Sequence, residues 1–360
     1  MTTTTPPLAD PPSFSLPPAV IRVLLVIGIA LVAQGWALRA DFYMDDSMHI
    51  IFNHDIQSGE LTNSGALMGR ILPKFLWRQT YLASGYNSVS FHILNVLTHV
   101  ALSALLVSVL TSFAKLQPSL RQASQIIGFW GAIIFACHPL VTEPVNYASQ
   151  LTILMATFFS VLTLWFYFRW RDSGKPVLLV GTAVCVLLAG FSKEPGFWHA
   201  LVNLFFVVLL ADGPKVLGFL EKRSVRLTLI GVVGLAGIAV ASSWLGVVIR
   251  QLSDGERLFH YMLTQSRVMF DYFGSMVIPI GLSSDHHIPW TVSAKDTEAV
   301  IKFILVIAGT LGILHAYLFK RRWFAALLGL ILFHLLMRFF YTIDEVMVEY
   351  RTYPSMPWVG

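Results

Sequence analysis

The chain has 360 residues, of which 56% are hydrophobic and only 12% are charged. A soluble globular protein carries about 25% charged residues, so this chain has too few to cover a soluble surface. The composition excludes an ordinary cytosolic enzyme, a disordered protein and a fibrous repeat, and it indicates a polytopic membrane protein. The formal net charge of +5 comes from short basic clusters between apolar runs. That pattern orients membrane helices and does not indicate nucleic-acid binding.

Residues 1–18 are rich in Thr and Pro and are predicted to form a disordered N-terminal tail. Residues 19–360 are predicted to form one all-α transmembrane domain with about nine crossings, since a crossing needs roughly 20 apolar residues. The predicted spans are 21–38, 89–113, 126–141, 150–168, 176–191, 197–211, 226–249, 299–318 and 323–341. The stretch 268–282 is too short to span and is interpreted as interfacial or re-entrant. Trp358 and Val359 begin another apolar run where the chain stops, so a C-terminal truncation is expected.

The orientation of the chain follows from four basic loops after alternate helices. Their residues are Lys115 and Arg121; Arg169, Arg171 and Lys175; Lys215, Lys222, Arg223 and Arg226; and Lys320, Arg321 and Arg322. With the N-terminus in the cytoplasm, all four loops are cytoplasmic, as the positive-inside rule requires. The opposite, non-cytoplasmic face then receives segments 39–88, 138–149, 192–196, 250–298 and 342–356.

Two patterns along the chain predict how its helices pack. Residues 67–82 carry apolar side chains at helical spacing, which predicts an amphipathic helix lying in the membrane interface. His92, Asn95 and His99 share one face of a predicted span. We interpret that polar stripe as hydrogen bonding between helices.

The residues that can carry chemistry lie on the predicted non-cytoplasmic face. Asp45 and Asp46 follow the first span, and such a pair can supply a general base or a metal ligand. Asp285 precedes two histidines, which is a weaker indication of a divalent metal site. The other candidates are His138, Glu143, Lys193, Glu194, Arg267, Glu349 and Arg351.

The structural alternatives for these candidates are rigid proline turns, solvated loops and local ion pairs, such as Arg351 with Glu349 or Lys193 with Glu194. Arginine binds phosphate through a planar fork and lysine binds it as a point charge. A carboxylate pair and several cations on one face therefore predict an active site at the outer membrane surface, with a lipid-anchored anionic substrate.

Six motifs in collinear order, from about residue 39 to residue 356, resemble the transmembrane and tetratricopeptide-repeat O-mannosyltransferases. They are Asp45-Asp46; Phe91-His92 with Asn95 and His99; His138-Pro139 with Thr142-Glu143; Ser192-Lys193-Glu194; Thr264-Gln265 and Arg267 with Asp285; and Glu349, Arg351 and Tyr353-Pro354. The resemblance is to a bacterial short form that consists of the membrane domain alone.

This resemblance implies a C-type glycosyltransferase fold and inverting transfer of a hexose from a polyprenyl-phosphate carrier to a hydroxyl, expected to be a protein Ser or Thr. Asp45 or Asp46 would be the general base, and Asp46 is slightly preferred. Lys193, Arg267 and Arg351 would neutralise the leaving phosphate, while Glu143 and Glu194 would position these groups or bind acceptor. No metal cofactor is expected.

The expected partners are the polyprenyl-phosphate sugar, a protein or glycan acceptor and membrane lipids, with no nucleic acid. The expected location is a bacterial inner membrane with the active face in the periplasm, or the endoplasmic reticulum in a eukaryote. Three alternatives stay open. They are transfer to a glycan or lipid, a catalytically silent subunit of a membrane complex, and a transporter.

Overall fold

A computed structural model describes residues 17–59, 70–220, 254–319, 322–340, 342 and 345–360, without the side chains of 213–220 and of residue 340. The helices are α1 Pro18–Gln34, α2 His54–Ser58, α3 Ile71–Ser84, α4 Ser88–Ala114, α5 Ser124–Cys137, α6 Thr142–Asn146, α7 Leu151–Ser173, α8 Val177–Ser192, α9 Gly196–Leu220, α10 Gly255–Val277, α11 Thr297–Phe319 and α12 Arg322–Leu336. The described residues contain no β-strand and one isolated antiparallel bridge, between His286 and Met347. The expected all-α architecture is therefore confirmed.

Five helices among the described residues are long and apolar enough to cross a membrane. They are Pro18–Arg39, Ser88–Ala114, Ala148–Ser173, Thr297–Phe319 and Arg322–Phe339. A sixth span results if α5 is joined to Pro139–Asn146, which bends away from it by 59°. The apolar helices Val177–Ser192 and Gly196–Asp212 are shorter. The expected count of about nine crossings is not confirmed, and the predicted span 226–249 lies outside the described residues.

The long helices differ in how much of their surface other helices cover. The apolar windows of α4 and of the α7 span are 56% and 72% buried, so these two helices form the centre of the bundle. The windows of the α1 span and of α11 are only 17% and 11% buried. Helices that are apolar on all sides and yet uncovered need a lipid environment, so α1 and α11 form the periphery.

The polar stripe on α4 joins neighbouring segments to the centre of the bundle. The Asn95 side-chain amide donates to the carbonyl of Tyr147 at 2.8 Å. His99 shares a 2.8 Å hydrogen bond with the Tyr353 hydroxyl through Nδ1, and its Nε2 lies 3.3 Å from the Ala136 carbonyl. His92 lies on the same fully buried face. The predicted hydrogen bonding between helices is thus confirmed for Asn95 and His99.

The predicted amphipathic helix and the predicted interfacial or re-entrant stretch both differ from their predicted bounds. The predicted helix at 67–82 is present as α3, which begins after Arg70, a residue in the left-handed region with φ 59°. The stretch 268–282 is not a separate short element. Its residues up to Val277 end the longer helix α10, which begins after Asp254, whose carboxylate accepts the Arg257 N–H at 3.1 Å. The N-terminal cap that starts this helix lies 14 residues before the predicted segment.

The segments assigned to the non-cytoplasmic face meet at one end of the bundle, which we name the site end. The Ser149 N–H donates to Asp46, and the Tyr350 N–H donates to Glu143. The His138 ring bonds the Met276 carbonyl. The opposite end, where α1 begins and α4 and α7 finish, carries Lys115, Arg169, Arg171 and Lys175, and we name it the basic end.

Two glycines allow the tight turn between α8 and α9 that carries Lys193 at the site end. A Cβ at Gly196 would overlap the Ala189 backbone, and one at Gly190 would overlap the Phe197 ring. The chain can therefore reverse direction only because both positions lack a side chain.

We predict that Gly196→Ala lowers the free energy of unfolding by about 1–3 kcal/mol, because the helices must separate to relieve a backbone clash. The measurement is the thermal unfolding temperature of the detergent-purified protein, which should fall. Gly312→Ala is the matched control, since nothing lies within 4 Å of a Cβ there. That control should be neutral or slightly stabilising, because alanine favours helix over glycine. Equal unfolding temperatures for the two variants would contradict the tight turn.

Candidate active site

The Asp46 carboxylate is fully buried and both of its oxygens accept hydrogen bonds. Oδ1 accepts the Ser149 N–H at 2.7 Å, and Oδ2 accepts the Tyr43 N–H at 3.1 Å. Burial raises the pKa of Asp46, although these backbone hydrogen bonds act to lower it. Asp46 thus joins the segment after α1 to the chain that enters α7, and each of its two oxygens already accepts a backbone hydrogen bond.

Asp45 has the opposite environment to its neighbour. It is half-exposed, and its backbone N–H donates to the Tyr147 hydroxyl at 2.7 Å. Its carboxylate accepts no hydrogen bond from any described residue. The preceding Met44 has φ 43°, a left-handed conformation that costs a non-glycine residue about 1–3 kcal/mol. A short π-helix follows at Ser47–Ile51. This irregular backbone presents one carboxylate to the protein and the other to solvent.

An open cavity of about 420 Å³ adjoins the carboxylate pair. Tyr147 lines this cavity, and its hydroxyl accepts the Asp45 N–H. The cavity's other lining residues include Tyr43, Thr142, Glu143, Asn146, Ser284 and Glu349.

Glu143 lies after the end of α5, in the segment Pro139–Asn146 that bends away from that helix. Its Oε2 accepts the Tyr350 N–H at 2.8 Å, whereas its Oε1 is buried and has no partner among the described residues. Burial raises the pKa of Glu143 to about 8, so this carboxyl is largely protonated at neutral pH.

Glu349 and Arg351 do not pair with each other. Because Glu349–Thr352 is a 3-10 turn, the two side chains leave the backbone in different directions. Glu349 Oε1 accepts the Ser283 N–H and lies 3.0 Å from Nε2 of His286. Asp285 is exposed. Within the described part of the chain, no three His, Cys, Asp or Glu side chains are arranged to hold a metal ion.

A group of cations lies beside the carboxylate pair. Lys193 is buried, and its Nζ donates to Gln150 Oε1 at 3.3 Å and lies 4.9 Å from the centre of the Tyr350 ring. Burial, together with the charges of Arg70, Arg338 and Arg351, lowers the pKa of Lys193 well below its usual range. We name these four residues, Arg70, Lys193, Arg338 and Arg351, the cationic cluster.

The cluster contains few carboxylates to balance its charge. Arg70 Nε lies 3.9 Å from Glu194, and Arg351 Nη2 lies 3.6 Å from the half-exposed carboxylate of Glu345. The buried Arg351 guanidinium donates mainly to backbone carbonyls, through Nη1 to Glu345 at 2.6 Å and to Val346 at 3.1 Å. Its Nε has no partner among the described residues. Among the described residues, the cluster therefore has one buried donor without a partner and more cationic groups than carboxylates.

Two cluster residues, Arg70 and Arg338, are absent from the candidates predicted from the sequence, and the second of them, Arg338, is the harder one to find. It follows α12 in the 3-10 turn Met337–Phe340, is half-buried, and forms no hydrogen bond or ion pair with any described residue. The sequence places it inside the predicted span 323–341, where the apolar neighbours conceal it. The available signal was the charge itself, since an arginine within a span needs a partner or a role.

The cationic cluster and the carboxylate pair are connected through two adjacent residues. Ser149 donates to Asp46, and the next residue, Gln150, accepts from Lys193. His49 makes a second connection, because its Nε2 lies 3.2 Å from Arg70 Nη1. Burial and the Arg70 charge lower the pKa of His49 to about 4, so the ring is neutral and accepts that hydrogen bond.

Three predicted residues lie apart from this arrangement or serve the backbone. Arg267 lies 4.0 Å from Asp296 and 3.5 Å from the Thr291 hydroxyl. His138 accepts the Leu140 N–H through Nδ1 and therefore shapes the turn after α5. The structure brings together Asp45, Asp46, Glu143, Lys193, Glu194, Glu349 and Arg351, and it leaves Arg267 and Asp285 at the margin.

Comparison with known proteins gives relatives of one kind. The chain is 28% identical over 239 residues to the human protein O-mannosyl-transferase TMTC4. This match covers 59% of this chain and 32% of that protein. It is 30% identical over 213 residues to the human protein O-mannosyl-transferase TMTC2, covering 53% of this chain and 24% of the relative. A longer match, 21% identical over 323 residues, is to the Caenorhabditis elegans protein O-mannosyl-transferase F38B6.6 and covers 80% of this chain and 43% of that protein.

These relatives confirm the resemblance that the six motifs indicate. The chain spans less than half of the length of each of the three. No family model matches it, and no solved structure matches it at significant similarity.

We predict that Asp46→Asn lowers the stability of the protein by about 1–3 kcal/mol, because an amide nitrogen replaces one of two buried oxygens that each accept a backbone N–H. Asp45→Asn is the matched control and should change stability by less than about 0.5 kcal/mol, since its carboxylate has no such partner. Thermal unfolding of both purified variants measures the difference. Equal loss in the two variants would mean that Asp46 does not join these segments.

Proposed function

We propose that the chain is a membrane glycosyltransferase that transfers a hexose from a polyprenyl-phosphate carrier to a hydroxyl group of a protein. The observation that carries this proposal is a carboxylate pair, in which Asp45 accepts no hydrogen bond from a described residue, joined through Ser149 and Gln150 to a cationic cluster that has few carboxylate partners among the described residues. The relatives support a protein acceptor, because their names describe protein O-mannosyl transfer.

The charge of the cationic cluster supports an anionic donor. In the described part of the chain, three arginines and Lys193 face Glu194 and the half-exposed Glu345, and the Nε of buried Arg351 has no acceptor there. Uncompensated charge near a membrane is costly, so an anion from outside the chain stabilises the arrangement. A phosphate offers several strong acceptor oxygens, and the planar arginine fork matches its geometry. We therefore assign the donor phosphate to this cluster.

The different environments of the two carboxylates support different roles, a general base for Asp45 and a structural role for Asp46. Asp45 accepts the proton of the acceptor hydroxyl while that oxygen attacks the anomeric carbon from the side opposite the phosphate. The bond between the anomeric carbon and the phosphate oxygen breaks, its electron pair remains on the phosphate, and the sugar is transferred with inversion. Asp46 holds the loop in place. This assignment reverses the slight sequence-based preference for Asp46, because both Asp46 oxygens already accept backbone hydrogen bonds.

The open cavity beside Asp45 supports a place for the acceptor. It is lined by hydroxyl and carboxyl groups, including Tyr43, Ser284 and Glu143. The largely protonated Glu143 can donate to an acceptor carbonyl through Oε1, which no described residue uses. The basic loops support a non-cytoplasmic position for the site end. Under this proposal, donor and acceptor meet at that surface.

We predict that Asp45→Asn lowers kcat by about 10²–10⁴-fold, the usual contribution of general-base catalysis, while donor binding stays within about twofold. The assay uses the detergent-purified full chain with polyprenyl-phosphate mannose and a peptide rich in Ser and Thr. Wild-type protein that transfers no sugar to any peptide, glycan or lipid acceptor would favour the silent-subunit alternative. Near wild-type turnover by Asp45→Asn would remove this carboxylate from the mechanism.

We predict that Arg338→Lys and Arg351→Lys each weaken binding of the polyprenyl-phosphate sugar by about tenfold or more, because an ammonium cannot replace the bidentate fork. Arg322→Lys is the matched control, since Arg322 is exposed and begins the same helix that Arg338 follows. Binding is measured on folded protein in detergent. Unchanged affinity in both cluster variants would exclude these guanidinium groups from the donor site.

A further inference from the structure

A second cavity lies at the basic end, away from the carboxylate pair and the cationic cluster. It has a volume of about 450 Å³ and lies between the first turns of α1 and the last turns of α4 and α7. The same helices reach the site end with their opposite termini. Since α4 has 27 residues, the two ends lie about 40 Å apart along that helix. The cavity therefore cannot belong to the proposed donor or acceptor site.

Cations from three helices line this cavity. Arg22 of α1 donates from Nη1 to Gln125 Oε1 at 2.6 Å. The guanidinium of Arg169 lies 5.2 Å from the centre of the Trp165 ring, and Lys115 forms no ion pair with a described residue. The lining includes one carboxylate, the exposed Asp172. The charge in the cavity is therefore net positive, and none of its three cations has a carboxylate partner among the described residues.

The rest of the lining is apolar or small. Val20, Val23 and Leu24 form the wall contributed by α1, and Ser108 and Ser112 are among the small residues of α4. Val20 and Leu24 remain 41% and 50% exposed in a helix long enough to span the membrane. A cavity that is cationic at the helix ends and apolar toward the span matches a molecule with an anionic head and a hydrocarbon body.

We propose that this cavity binds an anionic glycerophospholipid, with its phosphate among Arg22, Lys115 and Arg169 and its first acyl carbons against α1. Free phosphate satisfies the cations but leaves the apolar wall uncovered. A zwitterionic lipid brings its own ammonium group toward three cations, which is unfavourable. The charge-based orientation places this end in the cytoplasmic leaflet, where anionic lipids attract basic residues by about 1 kcal/mol each.

The test is native mass spectrometry of the delipidated full chain in detergent, titrated with phosphatidylglycerol or with phosphatidylcholine of the same acyl chains. The triple variant Arg22→Gln, Lys115→Gln and Arg169→Gln removes the cationic lining. The matched control Arg39→Gln, Lys175→Gln and Lys295→Gln removes the same charge at exposed positions outside the cavity. Glycerol phosphate is added as a soluble competitor in a separate titration.

Wild-type protein and the control should bind phosphatidylglycerol in preference to phosphatidylcholine, and the triple variant should bind it roughly 10- to 100-fold more weakly. Equal affinity for the two lipids, or equal loss in both triple variants, would overturn the proposal. Displacement of phosphatidylglycerol by millimolar glycerol phosphate would overturn it in favour of a soluble anion. If the triple variant does not fold, Lys115→Gln and Arg169→Gln are tested singly, because both side chains are exposed.

Discussion

The pair of hydrogen bonds that the Asp46 carboxylate accepts is the interaction on which the rest of the site depends. Its two donors, Tyr43 and Ser149, lie more than 100 residues apart in sequence, on either side of α3, α4 and α5. Once these segments are joined, Asp45 is held beside Tyr147, and Gln150 is held where it accepts from Lys193. One buried carboxylate thus positions both the proposed base, Asp45, and the residue that contacts Lys193 of the cationic cluster.

Two partly buried ion pairs elsewhere in the bundle contrast with the cationic cluster. Arg171 meets Asp212 at 2.7 Å, and Lys74 meets Asp55 at 2.7 Å. In the cluster, Lys193 relies on a neutral amide and an aromatic ring, and Arg351 relies mainly on carbonyls. Neutral partners satisfy donors but leave the net charge in place. Among the described residues, these two pairs join opposite charges, whereas the cluster has more cationic groups than carboxylates, which is the imbalance that the proposed anionic donor would offset.

The sequence predicted those features that depend on local pattern. Apolar run length located α4 and α7, and the spacing of Asn95 and His99 predicted their shared face. The slight preference for Asp46 over Asp45 had no support from local pattern, because these adjacent residues acquire different environments only in the folded backbone, where Met44 adopts a left-handed conformation. It also grouped Arg267 with Lys193 and Arg351 on charge and side of the membrane alone. Distance within a face depends on helix packing, and α10 carries Arg267 toward Asp296 instead.

Tyr350 joins the two halves of the proposed site through different parts of one residue. Its backbone N–H donates to Glu143 in the acceptor cavity, and its ring lies 4.9 Å from the Lys193 ammonium and 6.0 Å from the Arg351 guanidinium. The 3-10 turn that carries Tyr350 also positions Glu349 against His286. Because these contacts share one short turn, the position of the N–H that holds Glu143 is tied to the position of the ring that faces Lys193. In the proposed function, this turn would link the donor position to the acceptor position.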